Sequence, residues 1–187
     1  MKALRFLKQY ISKPRSVGAV LPSSKNLANK MVEDIKFENA KCIVEFGPGT
    51  GIFTEKLISN RAKDTVLIIM ETNEEFYNDL KNKYKDEKNM YVINDSAEKI
   101  GIYLKAYNID KADYIISGLP FTSLPKNISN DIMNNTNIFL KESGSFILFQ
   151  YTMLKKDFIT GFFNIVKVKK SWINIPPAYV LVCKSIN

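Results

Sequence analysis

Val44-Glu45-Phe46-Gly47-Pro48-Gly49-Thr50-Gly51 is the stretch on which the fold is decided. An apolar run at 42–46 leads directly into three glycines at alternate positions, and an amphipathic segment follows. Glycines at 47, 49 and 51 let the backbone turn tightly and approach a ligand where a Cβ would collide, as at the strand–turn–helix opening of a nucleotide-binding α/β unit. The turn lacks the Lys and Ser/Thr of a phosphate-gripping loop. It is entered by an acid instead, Glu45, which repels a pyrophosphate and attracts an ammonium group. The ligand read from this turn carries a positive charge and is not a dinucleotide.

Working outward, β-branched and aromatic runs at 42–46, 66–70, 91–94, 114–117 and 146–152 predict five strands. The amphipathic segments between them make βαβ units and therefore a parallel sheet. Residues 155–164 read as a helix, and 165–175 with 178–185 as a closing antiparallel pair around Pro176 and Pro177. Trp172 is assigned to the core. Two helices precede the first strand. In the first, Ala3, Leu4, Phe6, Leu7, Tyr10 and Ile11 share one arc, opposite Lys2, Arg5, Lys8, Gln9 and Ser12, and Pro14 ends it. Ser23 or Ser24 can cap the second, whose apolar positions are Leu27, Ala28, Met31, Val32 and Ile35. The chain reads as one α/β domain over 1–187: N-terminal helices at 1–38, forming a lid or membrane-binding segment, and a Rossmann-like core at 39–187.

Two more acids fall at strand C-termini, where open α/β sheets bind their ligands. Glu71, followed by Thr72, ends the second strand about 20 residues after the glycines, where a carboxylate accepts both hydroxyls of a ribose. Asp95, with Ser96 and Ala97, ends the third, where a carboxylate can accept the exocyclic amine of adenine. Together with Glu45 they describe an adenosyl ligand bearing an amino-acid moiety.

Composition narrows the chemistry. The net charge of +8 over 187 residues predicts attraction to a polyanion, nucleic acid or an anionic membrane. There is no histidine, which excludes Ser-His-Asp and Cys-His mechanisms and removes the commonest zinc ligand, so no metal is expected. Cys42 and Cys183 sit in apolar runs, as buried small hydrophobes of a reducing compartment do. No apolar run reaches the ~20 residues that span a bilayer, and a cytoplasmic protein is expected.

The series Glu45-x-Gly47-x-Gly49-x-Gly51, Glu71 and Asp95-Ser96-Ala97 resembles the cofactor site of class I methyltransferases, roughly over residues 40–185. The resemblance implies a seven-stranded, mostly parallel sheet with an antiparallel C-terminal strand. It also implies S-adenosyl-L-methionine as cofactor, released as S-adenosyl-L-homocysteine. Glu45 and the glycines would face the methionine part, Glu71 the ribose and Asp95 with its neighbours the adenine, with Thr50, Thr72 and Ser117 completing the cofactor set.

The fourth strand runs into Ile116-Ser117-Gly118-Leu119-Pro120-Phe121-Thr122, where such enzymes place the acceptor. In ribosomal RNA adenine dimethyltransferases a similar motif reads Asn-Leu-Pro-Tyr or Asn-Leu-Pro-Phe, the amide holding the adenine amine and the ring stacking on the base. Here Gly118 stands in place of that Asn, and the small helical domain that follows in those enzymes is not expected. Val17-Gly18-Ala19, Pro22-Ser23-Ser24, the Gly-Pro-Gly-Thr-Gly turn and Ser117-Gly118-Leu119-Pro120 are instead similar to the membrane-associating bacterial phospholipid N-methyltransferases. That resemblance implies stepwise methylation of phosphatidylethanolamine toward phosphatidylcholine, with Ser23 and Ser24 over the cofactor. Ser117, Gly118, Leu119, Pro120, Phe121 and Tyr151 are the candidates for the acceptor side, where Phe121 and Tyr151 could hold the methylated cation against their ring faces; Tyr151 reads equally as a core residue. The basic helix would lie in the headgroup plane of the inner face of the cell membrane, Phe6, Leu7 and Ile11 in the acyl boundary and Lys2, Arg5 and Lys8 near the phosphates. Two alternatives are an RNA adenine N6-methyltransferase and a binding protein that keeps the adenosyl pocket without turnover.

Overall fold

The computed structural model describes residues 25–154, 156–172 and 177–186. The chain runs α1 (Lys25–Val32), β1 (Cys42–Phe46), α2 (Ile52–Asn60), β2 (Val66–Met70), α3 (Glu74–Lys83), β3 (Met90–Ile93), α4 (Ile100–Ala106) and β4 (Ala112–Ser117). It continues through α5 (Lys126–Phe139), β5 (Leu140–Gln150), α6 (Lys156–Thr160), β6 (Phe163–Ser171) and β7 (Ala178–Ser185). The seven strands form one sheet in the order β3-β2-β1-β4-β5-β7-β6. The pairs β1–β2, β1–β4, β2–β3 and β4–β5 are parallel, and β7 runs antiparallel between β5 and β6. This is the mostly parallel seven-stranded sheet expected from the sequence. Its order reverses between β1 and β4, and ligands of open α/β sheets bind at that crevice.

Because β-strand side chains alternate, each strand feeds two cores. Val44, Phe46, Ile115, Phe146 and Leu148 pack with Ile100 and Leu104 of α4 and Ile132 and Met133 of α5. Ile43, Ile116 and Ile147 face the other way, against Leu27, Ala28 and Met31 of α1, Phe53 and Leu57 of α2 and Leu80 of α3. Both cysteines are buried and free, with thiols pushed up to about 12 by burial, which removes them as nucleophiles at neutral pH. The second N-terminal helix buries Leu27, Ala28, Met31 and Val32 as expected, while Ile35 is buried just past its end. The first helix, with Lys2, Arg5, Phe6, Leu7, Lys8 and Ile11, lies outside the described residues, as do Ser23 and Ser24.

Two sequence expectations need correction. Strand β5 starts at Leu140, six residues before the apolar run begins, through the polar stretch Lys141-Glu142-Ser143-Gly144. A register shift between Ala112 and Tyr114 accommodates it: Ala112 pairs with Leu140 and Tyr114 with Ser145. Lys141 Nζ holds Asp113 Oδ1 at 2.7 Å across the irregularity, and a Cβ on Gly144 would meet the Asp113 carbonyl at 2.7 Å. Trp172 is not core. It is 69% exposed, just past the end of β6, with Lys170 Nζ 3.5 Å from its ring centroid. Its strand neighbour Ser171 is fully buried, so the chain turns the Trp172 ring outward just where β6 ends.

Buried charge fastens α1 to this edge. Lys169 on β6 reaches Asp34 Oδ2 at 2.6 Å and Glu33 Oε1 at 3.0 Å, and Ser171 Oγ donates to Asn26 Oδ1 at 3.0 Å. Asn26 is the second residue of α1, so that helix begins at the end of the sheet where β1, β2, β4 and β5 finish.

Candidate active site

The strand ends are joined into one rim by backbone hydrogen bonds that continue the ladders past the last paired residues. Gly47 N–H donates to Met70 O at 2.9 Å, Glu71 N–H to Ile93 O at 2.9 Å, and Gly118 N–H to Phe46 O at 2.8 Å. The segments starting at Gly47, Glu71 and Gly118, together with the loop after β3, therefore surround one crevice, as the spacing of the three acids and the Ser-Gly-Leu-Pro segment predicts.

The glycine turn needs its glycines. Gly47, Gly49 and Gly51 have φ of +63°, +55° and +84°, the left-handed region that L side chains rarely adopt. A Cβ on Gly49 would meet nothing within 4 Å among the described residues, so the turn is open beside it on their side. Thr50, at the tip, is exposed.

Glu45 is fully buried. Its Oε2 accepts from Thr54 Oγ1 at 2.6 Å, while Oε1 has no partner among the described residues. Burial pushes its carboxyl up to about 8; the Thr54 hydroxyl opposes this and nearby Glu71 adds to it. An orphaned carboxylate oxygen at this depth awaits a donor, and an ammonium group is the donor that would also restore its charge.

Glu71 is held ready by the backbone. Its Oε2 accepts from Gly49 N–H at 3.1 Å and its Oε1 from Asn73 N–H at 2.8 Å, so one carboxylate ties the glycine turn to the start of α3. Burial raises its pKa, and these backbone donors pull against that. A carboxylate has about four lone-pair sites, which leaves acceptors for a ribose diol. Thr72 beside it is exposed.

Asp95 is bound more tightly than its sequence position suggests. Its Oδ1 accepts from Ser96 N–H at 2.8 Å, Lys99 Nζ lies 2.8 Å from Oδ1, and Tyr103 OH donates to Oδ2 at 2.8 Å. Lys99 above all holds its carboxyl below the ordinary value. Ala97 turns into the core below, so only its backbone borders the crevice.

On the acceptor side, Ser117 is buried and its Oγ accepts from Leu119 N–H at 3.2 Å. Gly118, Leu119 and Pro120 are half-buried at the mouth. A Cβ on Gly118 would stand 2.6 Å from the Gly47 carbonyl oxygen, and one on Gly47 would stand 2.7 Å from the Leu119 side chain. The acceptor turn and the cofactor turn thus interlock at two glycines. Phe121 departs from the expectation: its ring packs into the aromatic cluster beneath the turn, edge-on to Phe146 with centroids 6.5 Å apart and 6.5 Å from Phe158, rather than standing at the mouth. An apolar ring following a turn finds the aromatic cluster beneath it more favourable than water. Tyr151, half-buried past the end of β5, stands edge-on to Phe149 at 5.4 Å.

Thr54, Lys99 and Tyr103 escaped the sequence reading. Thr54 lies nine residues after Glu45 on α2, and Lys99 and Tyr103 lie four and eight after Asp95, at helical spacing; that periodicity was the available signal.

The site fits S-adenosylmethionine: an unpaired buried carboxylate for its ammonium, a backbone-held carboxylate for its ribose, and open space beside Gly49. A model of the ribosomal RNA adenine dimethylase family matches residues 15–160. The chain is 28% identical over 182 residues to ornithine lipid N-methyltransferase of Singulisphaera acidiphila, covering 97% of this chain and 95% of that one. It is 30% identical over 124 residues to ribosomal RNA small subunit methyltransferase A of Hydrogenobaculum, 66% of this chain and 45% of that one. Among solved structures, the N-methyltransferase NodS of Bradyrhizobium japonicum bound to S-adenosyl-L-homocysteine superposes with a TM-score of 0.71. That match is 11% identical and covers 96% of this chain and 99% of that one.

Proposed function

The chain belongs to the ribosomal RNA adenine dimethylase family and is an S-adenosylmethionine-dependent methyltransferase; from that premise we propose that its acceptor is the primary amine of a membrane-lipid headgroup. The observation that carries this reading is the contact between Gly118 and the Gly47 carbonyl. The amide that holds adenine in the RNA enzymes would project from this position. Here the backbone leaves no room even for a Cβ, and the ring of Phe121 that would stack on a base is in the core. The near full-length likeness to a lipid N-methyltransferase supports the same acceptor class. Phosphatidylethanolamine is the acceptor the Ser-Gly-Leu-Pro segment implies, and ornithine lipid is the acceptor named for the relative. Both offer a primary aliphatic amine beside anionic oxygens.

When bound, the cofactor supplies a methyl group on a sulfonium, and no strong base is needed to receive the single proton an attacking amine gives up. The protein's work is positioning. Glu45 would hold the ammonium and Glu71 the ribose of the cofactor against the glycine turn, and the interlocked Gly47 and Gly118 bring the acceptor turn to that same place. The amine must arrive neutral. A crevice that presents Ser117, Leu119 and Pro120 at its acceptor side, with no carboxylate among them, does not favour the ammonium form.

The lipid is reached from the rim. Leu154, 82% exposed after β5, and Trp172, 69% exposed after β6, stand at the end of the sheet where the crevice opens. Lys170 lies beneath Trp172 and exposed Lys156 starts α6. An exposed Trp beside Lys suits the headgroup layer, and a net charge of +8 suits an anionic surface. In this reading the chain acts as one domain over 1–187, peripherally on the cytoplasmic face of the cell membrane, with residues 1–38 adding to its hold. The test incubates purified protein and S-adenosylmethionine with vesicles containing one amine lipid at a time. Mass spectrometry should find mono-, di- or trimethylated headgroups; unchanged lipids in every vesicle would refute the reading.

A further inference from the structure

Gln150, the last residue of β5, is 6% exposed, and neither its amide oxygen nor its amide nitrogen has a hydrogen-bond partner among the described residues. An amide left unpaired in a protein interior is destabilising, and nearly all buried polar side chains avoid this. The position of this one has a meaning. Phe146 and Leu148 of β5 belong to the core on the α4 and α5 face and Ile147 to the opposite core, so alternation puts Gln150 on the α4 and α5 face. On β4, Ile115 lies on that face and Ile116 on the other, so Ser117 shares the face with Gln150. Ser117 pairs with Leu148. Gln150 is thus one strand across from Ser117 and one pleat repeat farther toward the rim, about 5 Å sideways and 7 Å along.

An unpaired carboxamide therefore stands beside the segment where the RNA enzymes place theirs, carried by the neighbouring strand. We propose that Gln150 holds the acceptor amine. This rests on the lipid-amine reading above. Its Oε1 accepts one N–H and aims the nitrogen lone pair toward the cofactor methyl, while its Nε2 donates to an anionic oxygen of the same headgroup, phosphodiester or carboxylate. A carboxamide makes both bonds at once. A carboxylate in its place would stabilise the ammonium form, which has no lone pair to give. In the transfer the nitrogen lone pair forms the new N–C bond, the S–C bond breaks with its electrons remaining on sulfur, and one N–H proton leaves to water.

The test compares wild type with Gln150→Met, similar in volume and apolar, and with Gln150→Glu. Three quantities are read: melting temperature without ligand, S-adenosylhomocysteine affinity by calorimetry, and kcat and KM on phosphatidylethanolamine and on ornithine-lipid vesicles. Gln150→Met should melt no lower than wild type, since an unpaired amide has been removed, and should bind S-adenosylhomocysteine as before. Its kcat/KM should fall about 10-fold or more, the worth of one hydrogen bond of ~1.4 kcal/mol. Gln150→Glu should displace the pH–rate profile to higher pH, and the lipid whose KM changes most identifies the oxygen that Nε2 reaches. Wild-type kinetics in Gln150→Met would overturn the proposal. So would a loss of activity matched by lower melting temperature and weaker S-adenosylhomocysteine binding, which marks a structural amide. A wild-type enzyme that methylates neither lipid would refute the lipid reading before any variant is compared.

Discussion

Replacing Gly118 by Ala places a Cβ 2.6 Å from the Gly47 carbonyl oxygen, where ordinary contact begins at 3.4 Å. The atom it meets is backbone, so no side chain can rotate out of the way. Neither turn is free to retreat, because Gly118 N–H is bonded to Phe46 O at 2.8 Å and Gly47 N–H to Met70 O at 2.9 Å. Overpacking of this kind costs about 1–3 kcal/mol. In a chain of this size that lowers the melting temperature by roughly 2–4 °C per kcal/mol. The strain falls on the first residue of the cofactor turn, so calorimetry should also find S-adenosylhomocysteine binding weakened by about 10-fold or more. From sequence alone Gly118 belongs to the acceptor, and its substitution is expected to reduce turnover more than cofactor binding; the interlock with Gly47 makes both suffer. Gly118→Asn, which restores the RNA motif on paper, should be worse still and should gain no RNA methylation. A Gly118→Ala protein with wild-type melting temperature and wild-type S-adenosylhomocysteine affinity would refute this reasoning.

Three further outcomes follow from the geometry. Glu71→Ala removes the acceptor of Gly49 N–H and Asn73 N–H together with the ribose contact, so calorimetry should show a strong loss of cofactor affinity; unchanged affinity would remove the ribose assignment. Glu45, raised from 4.5 to about 8 in the fold, favours the unliganded protein fully below about pH 4.5 and loses that contribution as pH rises through about 8. Glu45→Gln should flatten the fall of melting temperature across that window while weakening S-adenosylhomocysteine binding, and an unaltered pH profile would contradict the burial of an ionisable group there. Trp172→Glu with Leu154→Glu should weaken sedimentation with anionic vesicles and leave the melting temperature unchanged, since both side chains are exposed; sedimentation equal to wild type would place the membrane contact elsewhere.

The sequence is most legible where one physical constraint acts on one short segment. Glycines at 47, 49 and 51 prove to be the left-handed residues of the turn, and an acid ending each of the first three strand segments marks the crevice because parallel strands finish together. The boundaries of β5 are less legible, since Lys141 and Gly144 carry no strand signal and lie in the register shift between the Leu140 and Ser145 pairings, where Lys141 holds Asp113. Phe121 and Trp172 are each read to the wrong side. An aromatic residue in a rim loop can serve core or surface, and only the tertiary arrangement puts Phe121 beside Phe146 and Trp172 over Lys170. Gln150 is silent for a different reason: its amide matters because nothing among the described residues pairs with it, which is a property of its surroundings.

Which acceptor receives the methyl group separates a lipid enzyme from an RNA enzyme. One tube containing radiolabelled S-adenosylmethionine, anionic vesicles with phosphatidylethanolamine and ornithine lipid, and ribosomal RNA, separated by solvent extraction after reaction, decides it. Label in the lipid phase, in the headgroup amine, is the predicted result. Label that stays with the RNA would mean that another group does the work of the missing Asn at position 118, and would contradict the lipid assignment.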